Sequence, residues 1–222
     1  MKSPATAIVR ILEMAPCIAE PYEIEDGHMS IVIAFIGKRG SVVAGDMREI
    51  ILQGNSPESD QFEEELYSGR IVSDEAMLGR ARELGVQLGI RDTKKKVRER
   101  EDVLIGEISD FERGILRKRR LYITTGRFVL VEVEGHKITL LQQGEASRFV
   151  VLGNEITQQI AQDCITRRWK GGGFAEAILL IHEIMKTISR RTASVSKEYT
   201  LVRTIATVDI DTLIEQDRKA AR

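Results

Sequence analysis

Residues 28–49 read HMSIVIAFIGKRGSVVAGDMRE, and this stretch decides the fold. Its two halves, 30–37 and 41–49, are mostly runs of β-branched and other apolar residues, a pattern typical of strands that are buried on both faces. Gly37 and Gly40 flank a Lys-Arg pair between the halves and supply the backbone freedom that a tight turn requires. The stretch therefore predicts an antiparallel hairpin in the protein core.

The composition is that of an ordinary globular protein. With 222 residues, the chain can form one large domain or two small ones. The formal net charge of -1 gives no overall attraction to nucleic acids, and no apolar run approaches the roughly 20 residues needed to insert into a bilayer. Cys17 and Cys164 are too few for a disulfide framework and match no zinc-ligand spacing, so we infer a reducing, cytoplasmic location.

The remaining chain alternates between strand-like and helix-like patterns. Residues 53–60 are rich in Gly, Asn, Ser and Pro and predict a loop. Residues 61–114 combine a helix, capped by Ser73 and stopped by Gly85, with short strands, and predict an inserted β-rich subdomain. The elements predicted after it are a hairpin turning near Gly126, two strands over 137–153, helices over 154–169 and 174–191, a strand over 198–205 and a terminal helix. This order predicts an α+β layered sandwich.

The well-defined hairpin begins at Ser30 rather than at Met1, which suggests a chemistry that depends on the amino terminus. If Ser30 were the first residue, its α-amine would have a pKa of about 8 and much of it would be neutral in the cytoplasm. A neutral amine can take the proton of the Oγ hydroxyl, so one residue would supply both the nucleophile and its base. Residues 1–29 would then be an N-terminal appendage, a propeptide, or upstream sequence wrongly included in the reading frame.

A carboxylate is predicted beside this nucleophile. Asp46 follows Ser30 by sixteen residues, and the hairpin turn carries the second strand back toward the first. There, Asp46 would orient the amine and stabilise its protonated form. Arg48 lies two residues later on the same face and is predicted to keep Asp46 ionised by pairing with it. No cofactor and no metal ion is predicted.

These residues carry a family resemblance. MSIVIAFIGKRGSVVAGDMRE resembles the opening of proteasome β subunits and their N-terminal nucleophile hydrolase relatives, in which a mature Thr or Ser starts the first strand and an Asp-x-Arg pattern ends the returning strand. Together with ELYSGRIVSDE, KRRLY and RRTASVSKEY, the stretch resembles connectase more closely, a family of proteasome-related protein ligases of methanogenic archaea. The resemblance implies an αββα sandwich of the N-terminal nucleophile hydrolase type, with a catalytic core over 30–60 and 115–222 and an inserted subdomain over 61–114.

The resemblance also implies supporting residues around Ser30. It implies a lysine that lowers the proton affinity of the nucleophile, with Lys137 as the first candidate and Lys118 as the alternative. Gly153 and Asn154 would lie at a strand-to-helix junction, where backbone N–H groups and the helix N-terminus can receive an oxyanion. The last candidates for supporting residues are Ser194 and Ser196. They lie where proteasomal subunits carry an Asp-x-x-Ser element, although the Asp of that element is missing in this sequence.

The activity that the resemblance implies is transpeptidation. A protein or peptide substrate with a Lys-Asp-Pro-Gly-Ala-like site would be cleaved after Asp, leaving its acyl part on Ser30, and the amine of a Pro-started peptide would then restore a peptide bond. The inserted subdomain would clamp the substrate and help to exclude water. The physiological partner implied is a subunit of the membrane-associated methyltransferase of methanogenesis.

Two other functions are compatible with the same sequence. The first is an amidase or peptidase that uses the same machinery but transfers the acyl group to water. The second is a non-catalytic binding module that uses the basic run RDTKKKVRER, residues 91–100. Because such runs are usually solvated and this one contains no aromatic residue, contact with nucleic acid is not predicted.

Overall fold

The computed structural model describes residues 8–13, 31–53, 56–112 and 115–220. Its strands are β1 Ile8–Glu13, β2 Ile31–Gly37, β3 Gly40–Asp46, β4 Glu49–Gln53, β5 Gln87–Arg91, β6 Val97–Arg100, β7 Val103–Glu112, β8 Ile115–Thr124, β9 Arg127–Glu134, β10 Lys137–Glu145, β11 Arg148–Gly153 and β12 Tyr199–Thr204. Its helices are α1 Pro57–Tyr67, α2 Asp74–Leu84, α3 Glu155–Arg168, α4 Phe174–Ile188 and α5 Ile210–Ala220.

The predicted hairpin is confirmed as β2 and β3, which lie within a five-stranded antiparallel sheet of order β1-β11-β2-β3-β12. Every residue of both strands is buried. At the turn, Gly37 pairs with Gly40, and a Cβ added to Gly37 would lie only 2.6 Å from the Gly40 carbonyl oxygen. This close approach is why the turn needs glycine there.

A second antiparallel sheet, of order β10-β9-β8-β7-β6, packs against the first. Because side chains alternate along a strand, β2 contributes to two different cores. Val32, Ala34 and Ile36 pack between the sheets with residues of β6 to β9. The intervening residues of β2, which are Ile31, Ile33 and Phe35, pack against α3 and α4. Burial on both faces explains the unbroken apolar run in the sequence.

Helices cover the outer faces of the two sheets. The α3 and α4 helices cover the first sheet, and α5 covers part of the second sheet through Ile210, Leu213 and Ile214. The protein is therefore a mixed α and β structure with antiparallel sheets, as the order of elements predicted. In the part of the chain that the structure describes, no helix combines the length and the apolar character needed to span a membrane.

The helix boundaries show one predicted and one missed signal. The α2 helix begins after Ser73, whose side chain accepts a hydrogen bond from the Ala76 N–H, and it ends at Gly85 in the left-handed conformation, as predicted. The prediction of a loop over 53–60 was wrong from residue 57, because α1 begins there. The Ser56 side chain caps α1 and Pro57 occupies its first turn, a combination that favours helix initiation.

Residues 49–92, called the inserted unit below, pair separately from the two large sheets. In this unit, β4 pairs with β5, and α1 and α2 pack on one face of the strands through a small core that includes Phe62, Leu66 and Met77. By contrast, β6 and β7 are strands of the second sheet. By strand pairing, the separate unit therefore covers residues 49–92, whereas the sequence predicted an inserted segment over 61–114. The two ranges differ because the strands that follow residue 96 belong to the second five-stranded sheet.

Candidate active site

Asp46 and Lys96 form a buried ion pair at one end of the first sheet. Asp46 is the last residue of β3, and Lys96 immediately precedes β6. The Lys96 Nζ donates to Asp46 Oδ1 at 2.6 Å, and the two side chains are 2% and 0% exposed. Asp46 Oδ1 also accepts from the Ile31 N–H at 2.8 Å. The start of β2, the end of β3 and the start of β6 therefore meet at this carboxylate.

The environment of Lys96 favours release of its proton. Burial lowers the pKa of the Lys96 amine, and the attraction and hydrogen bond of Asp46 offset this only in part. A second hydrogen bond runs from Lys96 Nζ to the Arg48 carbonyl oxygen at 2.8 Å. Since burial disfavours the charged form of an amine, Lys96 holds its proton less tightly than a lysine in water. A buried lysine whose pKa is perturbed beside a specific carboxylate marks a candidate reaction centre.

The sequence did not reveal Lys96. The run over residues 91–100 was expected to be a solvated face, and this expectation was wrong at Lys96, which is 3% exposed. Lys95 beside it is exposed. The available signal was Val97, an apolar residue within the charged run, which begins β6 and is buried between the sheets.

The structure does not bring the two lysines predicted from the sequence to Asp46. Lys137 begins β10, whereas Lys96 precedes β6 at the opposite edge of the same sheet. Four inter-strand steps of about 4.8 Å separate these edges, or roughly 19 Å. Lys118 lies on β8, with its Nζ 3.6 Å from Glu107 Oε1. Lys96 contacts Asp46 instead of either residue.

Arg48 contacts Asp46 through its backbone and not through its guanidinium. The Arg48 N–H donates to Asp46 Oδ2 at 2.9 Å. The side chain, predicted to pair with Asp46, donates to Asp92 and Asp74 of the inserted unit and to the Ala193 carbonyl oxygen. Its pKa is raised, first by the hydrogen bond to Asp92 and against the effect of burial. Arg48 therefore remains charged and ties the centre to the inserted unit.

The two predicted supporting serines lie in the buried loop that follows α4. Ser196 accepts a hydrogen bond from the Met47 N–H at 2.8 Å and donates to the Glu198 carbonyl oxygen. It therefore holds the backbone between Asp46 and Arg48. Ser194 exchanges a hydrogen bond with the Thr192 hydroxyl.

The β11–α3 junction lies at the same end of the first sheet as Asp46. Gly153 pairs with Ile31, whose N–H contacts Asp46. Asn154 caps α3 by accepting from the Thr157 N–H at 2.9 Å. Its Nδ2 is buried and makes no hydrogen bond to the residues that the structure describes. A buried donor and a helix N-terminus are thus available beside the start of β2.

Ser30 and the predicted extension 1–29, apart from the β1 backbone, lie outside the described residues. The backbone of β1 pairs with β11 at the edge of the first sheet. Across the described ranges, no three His, Cys, Asp or Glu side chains are placed to hold a metal ion. The candidate site therefore consists of Asp46, Lys96 and the groups that position them.

Fold and site together define a mixed α and β protein with a buried lysine–carboxylate pair at the end of a two-sheet core. The sequence matches the family described as Connectase MJ0548-like, N-terminal domain, over residues 29–219. The chain belongs to the connectase family, as its motifs predicted, and membership implies an activity of the protein-ligase or peptidase kind.

The other comparisons are more distant. Among solved structures, the chain matches Anbu (ancestral beta-subunit) from Yersinia bercovieri, with a TM-score of 0.43 and 9% sequence identity. That match covers 86% of this chain and 92% of the Anbu chain. No curated protein matches the sequence.

Proposed function

We propose that the protein is a protein ligase of the N-terminal nucleophile type, with Ser30 as the acylated residue. The single observation that carries the proposal is the buried pair of Lys96 and Asp46 beside the Ile31 N–H. Ser30 is covalently bonded to that nitrogen, so a hydroxyl and a free amine on Ser30 would lie within a few bond lengths of the pair, about 1.5 Å each. The packing order of helices, sheet, sheet and helix supports the αββα sandwich of this enzyme class.

Each residue has a role in the proposed reaction. The neutral Ser30 amine takes the Oγ proton while Oγ attacks the substrate carbonyl, and Lys96 lowers the proton affinity of Oγ by its positive charge. Asp46 holds Lys96 in place. Asn154 Nδ2 and the N–H groups at the start of α3 are the proposed donors to the oxyanion, because they lie beside the start of β2.

The reaction exchanges one amide for another. The Ser30 oxygen forms an ester with the acyl part of the substrate as the scissile C–N bond breaks, and the proton taken from Oγ goes to the leaving amine. The amine of a Pro-started peptide then attacks the ester, forms the new amide and returns a proton to Oγ. The proposed substrate carries a Lys-Asp-Pro-Gly-Ala-like site, as in a methyltransferase subunit, and the acyl group remains on Ser30 between the two steps.

The inserted unit is the proposed substrate-binding element. It begins and ends next to the centre, since Arg48 precedes β4 and Asp92 follows β5. Residues 49–92 contain ten Asp or Glu and four Arg residues, which gives a formal charge of -6 in a chain of net charge -1. An acidic surface of this kind favours association with basic polypeptide segments. Most of the basic run over residues 91–100 lies outside the unit, which ends at Asp92.

The proposal is tested with protein whose amino terminus has been determined by mass spectrometry. Protein that begins at Ser30 is incubated with a cleavable peptide, with and without a Pro-started acceptor, and acylated protein is detected as an intact-mass increase. We expect acylated protein and mostly joined product when acceptor is present. Ser30→Ala should abolish both, whereas the control Ser189→Ala, at the partly exposed C-cap of α4, should abolish neither.

Other outcomes assign a different function. Mostly hydrolysed product in the presence of acceptor would show an amidase or peptidase. Turnover by protein that retains residues 1–29 would exclude the Ser30 amine as the base, because that nitrogen would then be part of a peptide bond.

A further inference from the structure

Arg48 makes main-chain contacts with both members of the buried pair. Its N–H donates to Asp46 Oδ2 at 2.9 Å, and its carbonyl oxygen accepts from Lys96 Nζ at 2.8 Å. A displacement of the Arg48 backbone would therefore move a donor away from Asp46 and an acceptor away from Lys96. Reactions that depend on aligned groups are sensitive to such shifts, with a loss of about 100-fold for a misplacement of roughly 1 Å.

The Arg48 side chain is fixed by the inserted unit. Nε and Nη2 donate to the two oxygens of Asp92 at 2.9 Å each. Nη1 and Nη2 donate to the two oxygens of Asp74 at 2.6 and 3.2 Å, and Nη1 also donates to the Ala193 carbonyl oxygen at 2.6 Å. These bonds use all five N–H donors of the guanidinium. A planar group held in this way has one orientation, which a lysine could not reproduce.

The two carboxylates belong to separate elements of the inserted unit. Asp74 is the first residue of α2, and Asp92 directly follows β5. The unit is also bonded to the loop that supports the centre, because the Ala193 N–H donates to the Ile71 carbonyl oxygen at 3.0 Å. The inserted unit is therefore connected to the centre through Arg48 as well as through the chain itself.

We propose that Asp74 and Asp92 are positioning residues, through which the inserted unit sets the alignment of Asp46 and Lys96 by way of Arg48. This inference rests on the proposed function for its effect on rate, but its structural part stands on the hydrogen bonds of Arg48.

The test compares two variants that each remove one carboxylate from a bidentate arginine pair. Asp92→Asn weakens the contact with Arg48. The matched control, Glu65→Gln, weakens the Glu65–Arg80 pair at 2.6 and 2.7 Å, which lies wholly within the inserted unit between α1 and α2. Single-turnover acylation is measured against peptide concentration, and hydrogen exchange is measured in the peptide that contains Met47 and Arg48.

We expect Asp92→Asn to lower the maximal acylation rate about 10- to 100-fold, while the half-saturating peptide concentration stays within about twofold of wild type. Hydrogen exchange at residues 47–48 should become faster. Asp92→Glu, which keeps the carboxylate, should restore most of the rate. Glu65→Gln should leave exchange at 47–48 at the wild-type rate, because its pair does not contact Arg48.

Two results would overturn the proposal. One is a folded Asp92→Asn protein with wild-type rate and wild-type exchange at residues 47–48. The other is an equal effect of Asp92→Asn and Glu65→Gln, which would assign the loss to general loosening of the inserted unit. If wild-type protein forms no acylated species, the proposed function fails, but hydrogen exchange still decides whether Asp92 holds the Arg48 backbone.

Discussion

Replacing Lys96 with Met tests the role of the buried pair in both stability and catalysis. Methionine has a similar length but neither charge nor hydrogen-bond donors. The buried Asp46 carboxylate accepts from three described donors, and without Lys96 it would keep two of them, the Ile31 and Arg48 N–H groups. Removing one partner of a buried pair costs about 3–5 kcal/mol. Because two donors remain, we expect a loss near the lower end, about 3 kcal/mol.

This loss can be measured by thermal and urea unfolding. For a chain of this size, about 3 kcal/mol corresponds to a decrease in Tm of roughly 6–12 °C. The control is Lys95→Met, which removes the same charge from the adjacent, exposed position and should change the free energy of unfolding by no more than about 0.5 kcal/mol. The double variant Asp46→Asn/Lys96→Met should be more stable than the sum of its single variants predicts, because no unpaired charge remains buried.

Catalysis is measured at a temperature at which every variant is folded. Removing a preorganised charged donor from a reaction centre lowers rates by about 10²- to 10³-fold, so acylation of the Lys96→Met protein should decrease by at least about 100-fold. A Lys96→Met protein with wild-type acylation and a free energy of unfolding within about 1 kcal/mol of wild type would refute the role of the pair.

Three further predictions concern other parts of the molecule. The hydrogen bond from Arg48 is the first cause of the lowered Asp92 pKa. The stabilising effect of Asp92 is therefore complete above its ordinary pKa near 3.8 and is lost as pH falls through the lower pKa of the folded state. In acid titrations followed by Tm, Asp92→Asn should approach wild type only below the folded-state pKa. Burial raises the pKa of Tyr122 to about 12, reinforced by its hydrogen bond to Asp217, so the free energy of unfolding should fall as pH rises from about 10 to about 12, and Tyr122→Phe should lack this part of the decrease. A Cβ at Gly106 would lie 2.6 Å from Val32 Cγ1 between the sheets, so Gly106→Ala should cost about 1–3 kcal/mol in urea unfolding.

The hairpin of β2 and β3 was predictable because its signals are local. A strand buried on both faces requires apolar residues at successive positions, and the tight turn requires glycine where backbone atoms approach closely. The α2 helix was equally clear, since Ser73 and Gly85 act on neighbouring backbone groups. The Ser56-Pro57 start of α1 was local too and was missed, because Gly, Asn, Ser and Pro together also favour loops.

The lysine of the centre could not be identified from the same signals. Lys94, Lys95 and Lys96 are adjacent and chemically identical, and their environments differ only through long-range contacts. Lys96 is buried because its position before β6 faces the end of β3. Asp46 and Lys96 are 50 residues apart in the sequence, and the inserted unit lies between them. Lys137 was chosen through the family resemblance, and the strand that it begins lies at the opposite edge of the sheet.

The contrast between two buried polar clusters supports the choice of centre. Asp217 of α5 accepts from Tyr122, Arg100 and Arg120. Burial, reinforced by the hydrogen bond to Asp217, raises the pKa of Tyr122, so that its proton is held more tightly. At the end of β3, burial lowers the pKa of Lys96, so that its proton is held less tightly. A buried ion pair adds little stability compared with apolar packing of similar volume. Anchoring a helix accounts for the first cluster, whereas the second places a charged donor beside the start of β2, where the proposed nucleophile lies.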